Sequence, residues 1–365
     1  RRRLTALVNS VTLARAEPAL FVIEDAHWMD PVSESLLADF VGVVPGTPTM
    51  VLVTFRPEYR GALVRIASAQ QIALVPLDDS DITSLLGELL GPDRSVRELA
   101  VTIVERAAGN PFFAEETVRE LAQRGILDGR RGAYVTQADA TDVNVPPTVH
   151  AVIEARIDRL NPPAQRTLNA ASVIGARFSA ELLGDVGIDP EFDELIDVEM
   201  IDQVRSIPDV EYAFRHPLIR AVAYESQLKS DRAELHRRVA AAIESRDPAA
   251  VEENAALIAE HLEAAGELHA AYQWHMRAAT WATSRDITAA RQSWERAEAI
   301  ADVLPEGPDK LSMRIAPRTM LCGIAWRLHA NVAGERIDEL RGLCAAAGDD
   351  ASLAIGMAGF VIDQA

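Results

Sequence analysis

The sequence predicts an α/β region that gives way to a mostly α-helical remainder. Three observations carry this reading. Apolar runs of strand length alternate with helix signals before Ser80. Strand signals nearly vanish after it. Beyond Pro248, bulky and small residues alternate at the spacing of paired helices. Strand–helix alternation is the pattern of a parallel sheet covered by helices.

The elements follow in order. Leu4, Leu7, Val8 and Val11 recur at helical spacing and mark a first helix. Ala19–Ile23 and Met50–Phe55 are nearly continuous apolar runs, as parallel strands buried on both faces require. Ile72–Leu77 is a third strand signal. Between the first two strands Asp30-Pro31 opens a helix, Asp as cap and Pro in the first turn. Helical patterns then run through Asp81–Leu90, Val96–Ala108 and Pro111–Arg124, and Gly125 stops the last of them.

Gly129 to Asn144 is polar and reads as a hairpin or loop. Pro146-Pro147 opens a new segment, with helices expected near 147–160, 163–174, 179–186 and 190–205 and a short strand at Glu211–Phe214. That order fits a winged-helix arrangement or a plain helical bundle. After Pro248 one window fits a tetratricopeptide-like (TPR-like) repeat: Trp274, Ala278, Trp281, Ala290, Trp294 and Ala297 alternate large and small. Ordinary amphipathic helices in a bundle are the alternative. The expected domains are 1–78, 79–145, 146–246 and 247–365.

Composition bounds the function. The hydrophobic fraction of 48% suffices for buried cores, and 365 residues suggest two or three domains. No run of eighteen apolar residues crosses a membrane, and no signal peptide opens the chain. Cys322 and Cys344 are the only cysteines and suggest no disulfide framework, so a cytoplasmic location is expected. The net charge of −19 argues against the whole surface docking on nucleic acid. No Ser-His-Asp or metal-ligand spacing stands out.

The chemistry-bearing features are few. The first strand ends in two adjacent carboxylates, Glu24 and Asp25. Such acids at the carboxyl end of a buried strand suit Mg²⁺ and an activated water, or they simply end the strand and cap a turn. Arg56 follows the second strand, where it could sense a γ-phosphate or pair with Glu58 or Glu24. Gly109-Asn110-Pro111 is helix punctuation: Gly ends one helix, Asn caps the next and Pro starts it. His236-Arg237-Arg238 reads as a solvated basic face, and the acidic stretch from Asp185 to Glu211 as an exposed one.

Three of these segments together resemble one family. Leu20-Phe-Val-Ile-Glu24-Asp25-Ala-His27-Trp28-Met-Asp30 is similar to the Walker B region of the STAND class of AAA+-related P-loop ATPases. Within that class it resembles LuxR-type bacterial regulators and the adenylate-cyclase-linked ATPases of actinobacteria. Val51-Leu-Val-Thr54-Phe-Arg56-Pro57-Glu58 and Gly109-Asn110-Pro111-Phe112-Phe113-Ala-Glu115-Glu116 follow in that family's order. Phe214-Arg215-His216-Pro217 and Leu235-His236-Arg237-Arg238 resemble its post-ATPase helical region.

The resemblance implies a partial P-loop sheet, a helical lid, a winged-helix-like domain and TPR-like repeats. It implies ATP or ADP and Mg²⁺ as cofactors. Glu24 would hold Mg²⁺, Asp25 would orient the attacking water, and Arg56 would be sensor 1. Pro111, with Asn110, would lie near the base, and His216 near the ADP phosphates. It further implies an inducer on the repeats, self-association, and DNA contact only through an output module outside this chain. The sequence departs from the pattern in two ways: the first acid is Glu24 rather than Asp, and no G-x-x-x-x-G-K-[ST] loop occurs. The phosphate-binding half is therefore expected outside this sequence, with little ATP binding or turnover by the chain alone. A helical scaffold that binds a protein without nucleotide is the competing expectation.

Overall fold

The computed structural model describes residues 10–364, apart from 15, 30, 67, 138–142, 144, 207–209 and 329–332. Chain contacts divide it into two compact units, Arg1–Val75 and Pro76–Ala365.

The first unit is α/β, as expected. β1 (Ala19–Ile23) and β2 (Thr49–Val53) pair in parallel, with Leu20 opposite Met50 and Val22 opposite Leu52. α1 (Pro31–Val43) connects them. It packs on the sheet face that carries Phe21, whose ring meets Phe40 edge-on at 5.3 Å. The opposite face, with Leu20, Val22, Met50 and Leu52, is exposed. The helix expected around Leu4 is described only from residue 10 onward, where a turn of helix is present. Asp30, the expected cap of α1, lies outside the described residues.

One strand expectation fails. Ile72–Leu77 forms no strand and pairs with none among the described residues. Apolar content makes a run strand-competent, yet a strand exists only where a neighbour supplies its ladder.

The second unit is nearly all helix. α2 (Asp79–Leu90), α3 (Arg97–Ala107) and α4 (Pro111–Gln123) enclose Ile82, Leu86, Leu99, Ile103, Phe113 and Leu121. A hairpin of β3 (Asp128–Arg130) and β4 (Ala133–Val135) follows, in the segment read as hairpin or loop. Next come α5 (Val149–Ile157), α6 (Pro162–Ile174), β5 (Arg177–Ser179), α7 (Ala180–Asp185), α8 (Asp193–Asp197), β6 (Ile201–Arg205), β7 (Glu211–Phe214) and α9 (Pro217–Glu225). The three strands form an antiparallel sheet in the order β5-β7-β6. The helix expected over 190–205 therefore ends early, because Ile201–Arg205 pairs with β7 instead. Leu168, Phe178, Leu183, Met200, Phe214 and Val222 fill this core.

From α10 (Lys229–Arg246) the chain stacks helix on helix: α11 (Ala255–Ala264), α12 (Leu268–Ala282), α13 (Ile287–Val303), α14 (Lys310–Leu328), α15 (Ala333–Ala347) and α16 (Asp350–Gln364). This is a helical-repeat arrangement, and the small–large alternation builds it. Ala279, Ala282 and Ala290 let α12 and α13 approach, and Trp294 fills the space between them and α14 with no exposure. No helix among the described residues is long and apolar enough to cross a membrane.

Candidate functional site

In the first unit, Glu24 and Asp25 leave β1 at its carboxyl end, and Arg56 lies three residues beyond the last residue of β2. Parallel register sets both ends on one edge of the sheet. Ile23 accepts from the Thr54 N–H at 2.9 Å, and Thr54 accepts from the Ala26 N–H at 2.9 Å. The Asp25 N–H donates to Thr54 Oγ1 at 3.0 Å. Asp25 itself adopts a left-handed backbone (φ 53°), a conformation Asp tolerates better than most residues. Its carboxylate lies 3.9 Å from His27 Nδ1. Both acids are exposed, as is Arg56.

Mg²⁺ is commonly held by one or two carboxylates plus water and phosphate oxygens, so this pair fits it. Among the described residues no group of three or more His, Cys, Asp or Glu could hold a metal. The sequence holds no G-x-x-x-x-G-K-[ST] loop, the usual backbone cradle of a triphosphate. The acid pair therefore fits the ion but not the whole nucleotide.

In the second unit, Asn110, Pro111 and His216 come together around a feature the sequence did not reveal. Asn110 caps α4, its side chain accepting from the Phe113 N–H at 3.3 Å, with Pro111 in the first turn. His216 caps α9 in the same manner, its Nδ1 accepting from the Leu218 N–H at 3.1 Å, with Pro217 next. That bond places the proton of the neutral ring on Nε2. The Phe112 ring stacks on the His216 ring, centroids 3.9 Å apart and planes 19° from parallel. The starts of two proline-led helices thus meet. Asn110, Pro111 and Pro217 are exposed around the half-buried stack.

Gly109 fixes the approach to this point. Its φ is +78°, and a Cβ there would lie 2.5 Å from the Leu77 carbonyl oxygen. Leu77 N–H donates to the Gly109 carbonyl at 2.9 Å, so the two segments run in direct backbone contact.

A charge network lies beneath. Glu116 is buried and pairs with the buried Arg156 of α5, which also donates to the Val198 carbonyl. Burial lowers the Arg156 pKa against the pull of Glu116. Arg119 pairs with Glu116 at 2.5 Å and with Glu199 at 2.7 Å; burial opposes its charge, but the two carboxylates prevail and hold its pKa above the ordinary value. Sequence reasoning missed Arg119, Arg156 and Glu199. The repeated X-Pro helix start (Asn110-Pro111, His216-Pro217) was the available signal for the stack, whereas Glu199 carried none.

Two surface readings are corrected. His236 is buried rather than solvated: it bonds Tyr224 Oη at 2.9 Å and His261 Nδ1 at 2.8 Å. Arg238 donates to the Val186 carbonyl, while Arg237 is exposed as expected. The acidic stretch is not one free face either. Glu194 accepts from Asn161, and Glu199 bridges two arginines.

Comparison with known proteins gives relatives but little established chemistry. Residues 78–128 match a family described as a domain of unknown function (DUF8739). The chain resembles the crystal structure of the Signal Transduction ATPase with Numerous Domains (STAND) protein with a tetratricopeptide repeat sensor PH0952 from Pyrococcus horikoshii. The identity is 11% and the TM-score 0.45, over 99% of this chain and 54% of that one. The chain is 28% identical over 320 residues to "Uncharacterized protein R02095" of Rhizobium meliloti (strain 1021), a match that covers 85% of this chain and spans 30% of that relative's length.

Proposed function

We propose that this chain is the switch region of a nucleotide-dependent signalling protein. The observation that carries the reading is the Phe112–His216 stack, which joins two segments singled out independently in the sequence. In this reading residues 1–78 are the carboxyl-terminal part of an ATPase core, 79–145 its lid, 146–246 a winged-helix-like domain and 247–365 sensor repeats. Glu24 holds Mg²⁺, Asp25 orients the attacking water and Arg56 senses the γ-phosphate. Asn110 and Pro111 border the base. The Nε2–H of His216 faces the ADP phosphates in the closed form. An inducer, protein or small molecule, acts on the repeats. DNA is reached only through another module, and the setting is cytoplasmic.

The exposed face of β1 and β2 supports the α/β part of this reading. Parallel sheets bury both faces, and Leu20 and Met50 are 62% and 64% exposed here. Further polypeptide over that face, including a Gly-rich phosphate loop, would complete the core.

The test compares this chain with a longer protein that carries such a loop. This chain should show no saturable binding of Mg-ADP at micromolar concentration. In the longer protein Asp25→Asn should abolish turnover yet spare binding. His216→Ala should weaken ADP by about tenfold to a hundredfold, the worth of one hydrogen bond to a charged group. ADP affinity and turnover unchanged in both variants would favour the nucleotide-independent scaffold instead.

A further inference from the structure

The turn between α8 and β6 contains the second non-glycine residue of this unit held in the left-handed region. Glu199 has φ 59°, as Ala108 has φ 47° before Gly109. A side chain in that conformation is strained, and glycine would avoid the strain. The position of the carboxylate accounts for a side chain being there. Its Oε2 lies 2.7 Å from Arg119 Nε on α4 and 3.2 Å from Arg215 Nη1. Arg215 immediately precedes His216.

We propose that Glu199 is a latch that keeps His216 on Phe112, its carboxylate bridging Arg119 of α4 to Arg215 at the foot of α9. The proposal rests on reading the Phe112–His216 stack as the switching joint. Glu199 is a positioning residue, since it touches neither ring.

The surroundings single it out. Arg119 also reaches Glu116 and Glu115, and Arg215 also reaches Asp202 at 3.8 Å. Glu199 is the carboxylate the two arginines share. The turn beneath it is anchored on both sides. The Val198 carbonyl accepts from Arg156, and the Met200 carbonyl accepts from the Arg215 N–H at 3.1 Å. Glu116 and Arg156 thus fix α4 to α5 and to the turn, and Glu199 extends that bond to the residue before the stacked histidine. Neutralising Glu199 leaves the buried pair and the Arg215 N–H bond to Met200 intact and removes the ion bridge between α4 and the residue before His216. Because Glu199 and Arg215 are both partly exposed, salt weakens this step more than the Glu116–Arg156 pair below it.

The latch and a simple turn role predict opposite results for Glu199→Gly. Glycine relieves the backbone strain, so the thermal midpoint should stay level or rise. The latch would nevertheless be lost. Histidine-selective NMR reads this without nucleotide, because the Phe112 face shifts the His216 ring protons upfield; Phe112→Ala identifies the signals. Glu199→Gln and Glu199→Gly should both remove most of that upfield shift, and Glu199→Asp should restore part of it. Unchanged His216 signals in Glu199→Gly would overturn the latch and leave Glu199 as a turn residue. ADP affinity, measured separately on the longer protein, tests the switch reading. A lost ring shift together with nucleotide binding that ignores His216 would sustain the latch and sink the switch.

Discussion

β1 and β2 leave Leu20, Val22, Met50 and Leu52 exposed, whereas the helices from Ala255 to Leu328 enclose Trp294 completely. Both regions are rich in apolar residues, so hydrophobicity does not separate them. The location of their partners does. Each repeat helix packs on the next one in sequence, and its alanines and tryptophans find complements within a few tens of residues. A parallel strand draws its neighbours from distant segments through crossover connections. The repeats therefore close on their neighbours in sequence, while the sheet face with Leu20, Val22, Met50 and Leu52 stays exposed.

Truncation should widen this contrast most in the repeats. Trp294→Ala should cost about 3–5 kcal/mol, as for large aromatic side chains removed from packed cores. Chemical denaturation followed by circular dichroism would read the loss. A cost below about 1 kcal/mol would mean that the α12–α13–α14 packing is looser than its geometry.

Acid should be the next largest effect, and it should fall on the joint between α10 and α11. Burial, with Arg232 and Arg220 nearby, lowers His236 from 6.5 to about 4. Burial, with His236 and Arg220 nearby, lowers His261 from 6.5 to about 4. Tyr224 Oη is the other titratable group on this pair. Between those pH values the unfolded chain takes up protons that the folded one refuses. This contribution to stability is complete above pH 6.5 and is lost as pH falls toward 4. Melting temperatures at a series of pH values should show the decline, and His261→Leu should flatten it. An equal slope in the variant would remove the pair as its cause.

The smallest effect should come from the exposed sheet. Leu52→Ser should change stability by no more than about 0.5 kcal/mol, as for surface sites generally. A loss comparable to that of Trp294→Ala would show that the face is covered in solution, and the contrast between the two regions would then fail.

These outcomes bear on how much was legible in the sequence. Helix starts were readable because capping is local: Asn110-Pro111 and the Gly125 stop need only their neighbours. The alternation of Trp274, Ala278, Ala290 and Trp294 was readable because the repeat spacing is itself a packing rule. The acid pair after β1 and Arg56 after β2 were placed on one sheet edge because two apolar runs read as parallel strands. Ile201–Arg205 was misread as helix, since its pairing to β7 depends on a partner six residues beyond its end. His236 was misread because Leu-His-Arg-Arg resembles a basic face, and burial by His261 of α11 is tertiary. Glu199 was invisible for the same reason: its two arginines stand 80 residues before it and 16 after it.

The exposed run near residue 74 has a consequence for concentration. Ile72, Leu74 and Val75 are exposed, Leu74 at 92%. Two such runs from different copies can form a ladder, and the rate of that encounter rises with the square of concentration. The opposing force is the net charge of −19, which keeps copies apart at low ionic strength and weakens as the Debye length shrinks to about 8 Å at physiological salt. The working range of this polypeptide on its own is therefore bounded jointly by its concentration and by the salt around it.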